Sequence, residues 1–130
     1  MHYKKIVVAD DDEIFIVVAK ATLRRLFPDA EFIVATNGEA ALDLLEKMQP
    51  DLFFLDLNMP MMNGKEFLAA LIQRYTKIKF PIIIVTSSID PADARETQRH
   101  PFVTGFVEKP LSLEIIEKVL QENTGDKGSI

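Results

Sequence analysis

Polar and charged side chains stand directly after short apolar runs at several places in this 130-residue sequence. In chain order they are Asp10 and Asp11, then Asp56 and Asn58, then Thr86 with Ser87 and Ser88, and finally Lys109. If the apolar runs are parallel strands, their carboxyl ends meet at one edge of a sheet, where ligands bind in this type of architecture. We therefore expect carboxylates, hydroxyls and one ammonium group to lie together.

Asp56 has the most informative context of these residues. It ends the apolar run Leu52–Leu55 and precedes Leu57, so its carboxylate should be partly buried, facing Asp10 and Asp11. Two carboxylates about 4 Å apart repel by about 4 kcal/mol at an effective dielectric constant near 20, so a cluster of three needs a cation. A few hard oxygen ligands favour Mg²⁺ over Zn²⁺ or a full Ca²⁺ cage. The pattern predicts a magnesium site that keeps water molecules and receives a phosphoryl group.

Each of these residues also has an ordinary structural explanation. Asp11 or Asp12 could cap the first helix, Thr86 could belong to a turn, and Lys109 could be a solvated lysine before a proline. These explanations would have to hold independently at strand ends that the fold brings together. Their joint occurrence favours a functional site.

Several other notable residues are given no catalytic or binding role. We expect the Asn37-Gly38 pair to form a turn and the Asn63-Gly64 pair to lead into a helix. His2 and His100 have no partner acid pattern, and we expect both at the surface. The methionines at 59, 61 and 62 are expected to serve packing rather than a soft-metal site.

The elements that position the site can be predicted from hydrophobic patterning. Continuous apolar runs indicate strands covered on both faces; they are β1 at Lys5–Asp10, β2 at Glu31–Ala35, β3 at Leu52–Leu55, β4 at Pro81–Val85 and β5 at Val103–Val107. Apolar residues at helical spacing indicate helices; they are α1 at Ile14–Phe27, α2 around Ala40–Met48, α3 around Phe67–Ile72, α4 from an Asp90 cap to about Arg99, and α5 at Leu113–Leu120.

Five alternations of strand and helix predict an α/β protein, a three-layer α/β/α sandwich around a parallel sheet with right-handed crossovers. The length fits one domain of roughly 100 to 150 residues. We expect the domain over residues 4–122 and a polar C-terminal tail over 123–130, with no output domain.

The amino-acid composition argues against several classes of protein function. Fifteen Lys and Arg against twenty Asp and Glu give a net charge of −5, which disfavours direct binding to nucleic acid or an anionic membrane. The absence of cysteine excludes disulfides, thiolate zinc sites and cysteine catalysis, and fits a reducing compartment. The longest purely apolar run, Ile14–Ala19, is far short of the ~20 residues that span a bilayer. We expect a cytoplasmic location.

The sequence resembles the receiver domain of two-component response regulators from Lys4 to about Glu122. The matching motifs are Asp10-Asp11 after β1, the segment from Asp56 to Gly64 after β3, Thr86-Ser87 after β4 and Lys109-Pro110 after β5. The resemblance implies a flavodoxin-like, CheY-like fold, with a five-stranded parallel sheet in the order 2-1-3-4-5. It also implies a cis Lys109-Pro110 bond.

The resemblance further implies a phosphoacceptor signalling domain rather than an enzyme, one that takes part in its own phosphorylation and dephosphorylation. Asp56 would accept a phosphoryl group from a sensor histidine kinase or a histidine phosphotransfer protein. Asp10, Asp11, Asp56 and the Asn58 carbonyl would bind Mg²⁺. Lys109 and Thr86 would contact the phosphoryl oxygens, and Thr86 with Phe106 would form the switch that passes the signal to the α4-β5-α5 face.

The signal would pass on through protein contacts, as in a stand-alone regulator or a phosphorelay shuttle, to a target that the sequence does not name. A homodimer through the α4-β5-α5 face is left open. The sequence departs from the family pattern at Arg99–Phe102, which replaces the usual small-residue turn after α4, and at Ile14–Val18, which is more apolar than most first helices. Part of this α1 face is expected to contact a partner or a second copy instead of the core.

Three other readings compete with this one. A receiver-like interaction module that is never phosphorylated remains the main alternative. A haloacid-dehalogenase-type phosphatase also uses a strand-end aspartate and Mg²⁺, but it needs an acid where Asn58 stands. A flavin or dinucleotide binder needs a glycine-rich phosphate loop after β1, where this chain has consecutive acids.

Overall fold

The computed structural model describes residues 3–87 and 90–124, with side chains described up to residue 122. The strands are β1 (Lys5–Ala9), β2 (Glu31–Ala35), β3 (Leu52–Leu55), β4 (Ile82–Thr86) and β5 (Val103–Glu108). The helices are α1 (Glu13–Leu26), α2 (Gly38–Lys47), α3 (Gly64–Arg74), α4 (Pro91–Gln98) and α5 (Leu113–Thr124). All ten predicted elements are present. The helices α2 and α3 begin two or three residues earlier than their apolar spacing indicates, because that spacing marks only the buried side.

The five strands form one parallel sheet in the order β2-β1-β3-β4-β5. This confirms the predicted fold class and strand order. The central strand β3 is buried at every position, as its continuous apolar run requires. Predicted tail residues 125–130, as well as His2 and Ser88, lie outside the described residues. The first two residues of the predicted tail, 123 and 124, extend α5.

Helices cover both faces of the sheet. One face packs against α2 and α3, and the other packs against α1 and α5. Phe53 of β3 stacks on Phe67 of α3 with ring centroids 5.3 Å apart, and both side chains are fully buried. Burying such a side chain contributes about 1.5 to 3 kcal/mol. With both faces covered, the ends of the strands are the open edges at which a ligand can approach the sheet.

Side-chain caps fix where four helices begin. Asp12 accepts hydrogen bonds from the first turn of α1, Asn37 caps α2, and Asp90 caps α4. Asn63 and Glu66 form a reciprocal capping box at α3. The Asn63-Gly64 prediction is confirmed, whereas the Asn37-Gly38 turn prediction is wrong, because the Asn37 side chain is used to start a helix. Either Asp11 or Asp12 was a candidate cap for α1. The structure shows that Asp12 is the cap, so Asp11 does not have that role.

Helix α4 is held by few apolar contacts. Of its residues, all within the described chain, Thr97 alone is buried. The Lys65 ammonium of α3 lies 2.8 Å from Asp93 and 2.9 Å from Glu96, which ties α4 to α3. The hydrogen bond to Asp93, followed by that to Glu96, raises the pKa of Lys65. The Lys65 ion pairs therefore add a polar link to α3 beside the contacts that α4 makes with β5.

The unusual segment after α4 turns inward rather than outward. Phe102 is buried, and its N–H donates to His100 Nδ1 at 3.1 Å. His100 Nε2 lies 3.2 Å from the Leu68 carbonyl oxygen, so a neutral ring with its proton on Nε2 satisfies both contacts. His100 is half-buried, so the predicted surface position holds only in part: its ring nitrogens anchor this turn, one within the turn to Phe102 and one against Leu68 of α3.

The apolar start of α1 is divided between core and solvent. Phe15 and Ile16 are buried, whereas Ile14, Val17 and Val18 are 77%, 67% and 46% exposed. The expectation that part of this face lies outside the core is confirmed. In the described part of the chain, no helix has the length and apolar character needed to cross a membrane.

Candidate phosphoacceptor site

The site is built at the carboxyl edge of the sheet, where backbone hydrogen bonds fix the residues that follow the strands. The Asp56 N–H donates to the Ala9 carbonyl, and the Lys109 N–H donates to the Thr86 carbonyl, each at 2.9 Å. Asp10 is held in the same way by the Ala35 carbonyl at 2.9 Å. The sheet register therefore continues one residue beyond the strands and brings these residues to one edge.

Three carboxylates converge at this edge. Oxygens of Asp10, Asp11 and Asp56 all lie within 4.8 Å of one another. Asp10 and Asp56 are buried and Asp11 is exposed, so the cluster opens to solvent on the Asp11 side. The acids that the sequence analysis singled out are thus brought together.

Lys109 is the cation of the cluster. Its Nζ atom lies 2.9 Å from Asp10 Oδ2 and 3.6 Å from Asp56 Oδ2, and its side chain is only 12% exposed. The Lys109-Pro110 bond is cis, as the resemblance implies. Three carboxylates and one ammonium leave a formal charge of −2, which a divalent cation would neutralise.

Asp10 carries the clearest electrostatic perturbation. Burial raises its pKa to about 6, against the hydrogen bond from the Asp12 N–H and the contact with Lys109, which both lower it. The nearby Asp56 carboxylate also contributes to this rise in the pKa of Asp10. Asp10 Oδ2 touches the Lys109 ammonium as a charge contact that lacks hydrogen-bond geometry, so this buried oxygen keeps its acceptor capacity.

These features fit a hard divalent cation. Asp10, Asp11 and Asp56 would hold such an ion, which would supply positive charge to offset the net negative charge of the cluster. Among the described residues, Asp10 Oδ2 has no hydrogen-bond partner, so it is free to act as a ligand, and all the candidate ligand atoms are oxygens, as Mg²⁺ prefers.

Asn58 and Thr86 are linked across the site. The Asn58 N–H donates to Asp56 Oδ1 at 3.2 Å, which holds the loop after β3 close to the acid. The Asn58 side-chain amide donates to the Thr86 hydroxyl at 3.3 Å, and Thr86 is fully buried. Because Thr86 accepts this bond, its own O–H proton is available to a further acceptor.

The loop after β3 is tightly packed at Gly64. Its N–H donates to the Leu57 carbonyl at 3.0 Å, and a Cβ added at Gly64 would lie 2.5 Å from the Asp56 carbonyl oxygen. Glycine is required here because the α3 start crosses so close to the backbone of the site. Of the three loop methionines, Met59 and Met62 pack as predicted, but Met61 is exposed with a φ of 66°, so the packing prediction is wrong for that residue.

Phe106 lies on β5, paired with Ile84 of β4, and is half-buried against the core cluster on the α2 and α3 side. Strand alternation places Thr86 on that same face. Sequence reasoning missed Phe15 of α1, whose ring lies under the Lys109 ammonium, 4.2 Å from Nζ to the ring centroid. The proximity of Phe15 to the acidic run in sequence was the available signal, but its apolar spacing marked it only as core.

Comparison with known proteins identifies the class. The family profile for the response regulator receiver domain matches residues 6–121. The chain therefore belongs to the response regulator receiver domain family of two-component systems. Receiver domains are phosphoacceptor signalling domains that interact with histidine kinases or phosphotransfer proteins and generally bind Mg²⁺ at an acidic pocket.

Curated relatives share this domain within longer proteins. A protein-glutamate methylesterase/protein-glutamine glutaminase of Treponema pallidum (strain Nichols) is 44% identical over 82 residues, covering 62% of this chain and 20% of that protein. The alkaline phosphatase synthesis transcriptional regulatory protein PhoP of Bacillus subtilis (strain 168) is 37% identical over 90 residues, covering 69% of this chain and 36% of that protein. The chain spans well under half the length of either relative.

Solved structures agree on the fold. A two-component response regulator from Cytophaga hutchinsonii superposes with a TM-score of 0.86 at 24% identity, covering 97% of this chain and 100% of that chain. A two-component response regulator from Legionella pneumophila has a TM-score of 0.78 at 25% identity, covering 91% and 95%. The likeness extends over nearly the whole sandwich.

Proposed function

We propose that Asp56 accepts a phosphoryl group from a phosphohistidine of a sensor histidine kinase or a histidine phosphotransfer protein. The observation that carries this proposal is the convergence of Asp10, Asp11 and Asp56 within 4.8 Å, with the Lys109 ammonium 3.6 Å from Asp56. Asp56 directly follows the central strand β3, and the backbone around its carboxylate is fixed by hydrogen bonds. This is the preorganisation that a phosphoryl transfer requires.

The reaction is a displacement at phosphorus. A carboxylate oxygen of Asp56 forms the new O–P bond while the P–N bond to the imidazole breaks, and the imidazole nitrogen keeps the electron pair. Asp10, Asp11, Asp56 and the Asn58 carbonyl would hold Mg²⁺, which when bound neutralises charge on the transferring group. Lys109 supplies the protein's own positive charge beside the Asp56 oxygen.

Thr86 and Phe106 would convert the chemical change into a conformational one. The Thr86 O–H, which stays free to donate while the hydroxyl oxygen accepts from the Asn58 amide, would donate to a phosphoryl oxygen. Movement of Thr86 would then free space for Phe106 on the same face of the sheet. The α4-β5-α5 face would change because Thr97 is the one buried residue among the described residues of α4, so little packing opposes a movement of this helix.

The partners follow from this arrangement. A phosphohistidine donor meets the exposed Asp11 side of the cluster, and a downstream protein reads the α4-β5-α5 face in the cytoplasm. A homodimer through that face is the further expectation. Light scattering of the protein with and without the phosphoryl analogue beryllofluoride measures the oligomeric state. A monomer mass under both conditions would contradict the proposed homodimer.

Intact-protein mass after incubation with acetyl phosphate or phosphoramidate, with and without Mg²⁺, tests the phosphoacceptor assignment. Wild type should gain one phosphoryl group only with Mg²⁺, and Asp56→Asn should gain none. Asp43→Asn, an exposed acid on α2, is the matched control and should behave as wild type. Uptake that persists in Asp56→Asn would remove Asp56 as the acceptor. No uptake from either donor or a phosphohistidine protein, by folded protein that binds Mg²⁺, would favour the unphosphorylated interaction module.

A further inference from the structure

Lys109 needs more than its acidic partners to hold one position. A lysine side chain has several rotatable bonds, and its ammonium is a compact charge without the planar geometry that orients arginine. Asp10 and Asp56 contact Nζ at 2.9 and 3.6 Å. Both carboxylates belong to the proposed metal and phosphoryl site, so both are expected to exchange contacts during the reaction. A partner that does not take part in that exchange is required to keep Lys109 in place.

Phe15 supplies such a partner. Its ring face lies below the ammonium, with Nζ 4.2 Å from the centroid, well within the ~6 Å range of a cation–π interaction. The ring is 9% exposed, and the Lys109 side chain is 12% exposed, so the contact is largely shielded from water. Shielding strengthens a cation–π interaction.

The backbone at Phe15 is also fixed. The Phe15 N–H donates to Asp12 Oδ1 at 3.1 Å, in the cap that starts α1. The same short segment therefore delivers two acids of the cluster and the ring that faces its cation. Packing against the core would require only an apolar side chain at this position, and a leucine would meet that need. Contact with an ammonium requires the negative face of an aromatic ring.

We propose that Phe15 is a positioning residue for Lys109, holding the ammonium toward Asp56 through its ring face. This inference rests on the proposed phosphoacceptor function. The ring has no lone pair, so it attracts the charge without competing as a conventional hydrogen-bond acceptor for the N–H groups of Lys109. Lys109 can then donate to a phosphoryl oxygen while its charge stays over the ring. A third carboxylate in this place would compete for those donors.

The experiment compares Phe15→Leu with Phe15→Tyr and Phe15→Trp, measuring the initial rate of Mg²⁺-dependent phosphorylation by phosphoramidate. Phe15→Leu should lower the rate constant about five-fold, equivalent to about 1 kcal/mol at 1.36 kcal/mol per decade. The Tyr and Trp variants should stay within about two-fold of wild type because they keep the aromatic face. Ile16→Leu, which alters the neighbouring buried residue of α1, is the packing control and should leave the phosphorylation rate unchanged.

A second readout does not depend on phosphorylation. In protein labelled with ¹³C-lysine, the Lys109 Cε and Hε signals should show an upfield ring-current shift, assigned by their loss in Lys109→Met. The shift should vanish in Phe15→Leu and persist in Phe15→Tyr and Phe15→Trp. This signal reports the Phe15–Lys109 contact even if wild type takes up no phosphoryl group, so failure of the proposed function and failure of this inference are distinguishable.

Three results would overturn the inference. One is a wild-type rate in Phe15→Leu. Another is an equal loss of rate in Phe15→Leu, Phe15→Tyr and Ile16→Leu, which would mean that Phe15 serves packing alone. The third is an unshifted Lys109 signal in the wild-type protein. In support, Phe15→Leu should have no further effect on the residual rate in a Lys109→Met background, since the group it positions is then absent.

Discussion

Replacing Asp10 by asparagine should stabilise the metal-free protein at neutral pH, although it removes one partner of an ion pair. Burial raises the pKa of Asp10 to about 6 from an ordinary value of 3.8, in spite of the Lys109 contact. The folded state therefore holds a proton that the unfolded chain has already lost between these two pH values. The free energy of unfolding therefore falls as the pH rises from 3.8 to about 6. Above that range the full energetic cost of burying the charged Asp10 carboxylate applies.

The magnitude can be worked from the same values. The difference between 3.8 and about 6 corresponds to about 3 kcal/mol at 1.36 kcal/mol per pKa unit. That figure is a ceiling, because asparagine also leaves Lys109 with Asp56, at 3.6 Å, as its one carboxylate partner among the described residues. The amide oxygen can still accept the Asp12 N–H. We expect Asp10→Asn to raise the free energy of unfolding by roughly 1 to 3 kcal/mol at pH 7, and by little near pH 4.

Urea denaturation followed by far-UV circular dichroism, in EDTA and at several pH values from 4 to 8, measures this effect. Asp43→Asn is the control for an exposed acid and should change stability by less than about 0.5 kcal/mol. Added Mg²⁺ should reduce the difference in free energy of unfolding between the variant and wild type, since wild type keeps a carboxylate that can coordinate the ion and the variant lacks it. A variant less stable than wild type at pH 7 in EDTA, or a difference that does not change with pH, would refute the reasoning.

Two further predictions concern the framework around the site. Gly64→Ala should lower the free energy of unfolding by about 1 to 3 kcal/mol, because the new Cβ meets the Asp56 carbonyl oxygen; urea denaturation checks this, with Ala69→Ser on the exposed side of α3 expected to cost little. Lys65→Met should speed amide hydrogen exchange throughout α4 by removing both ion pairs, whereas Arg74→Met, which breaks an α2–α3 ion pair, should leave α4 exchange unchanged.

Much of the fold follows from local sequence patterns. Continuous apolar runs identify all five strands because a parallel strand covered on both faces has no polar side. The Asp90-Pro91 pair identifies the start of α4 because capping and a preset φ act within one turn of helix. At Asn37 the same kind of cap was taken for a turn, since Asn-Gly serves either structure and the choice depends on what packs next to it.

The residues that make up the site were also predictable, because Asp56 and Lys109 stand directly after strands whose carboxyl ends must meet at one edge of the sheet. Their contacts were decided by the tertiary structure alone. The Phe15 ring meets Lys109, and the His100 ring turns toward Leu68, because packed helices place atoms together that are far apart in the chain. Local spacing specifies which side of an element is buried, whereas distances of 3 to 4 Å between distant residues depend on how all the elements pack at once.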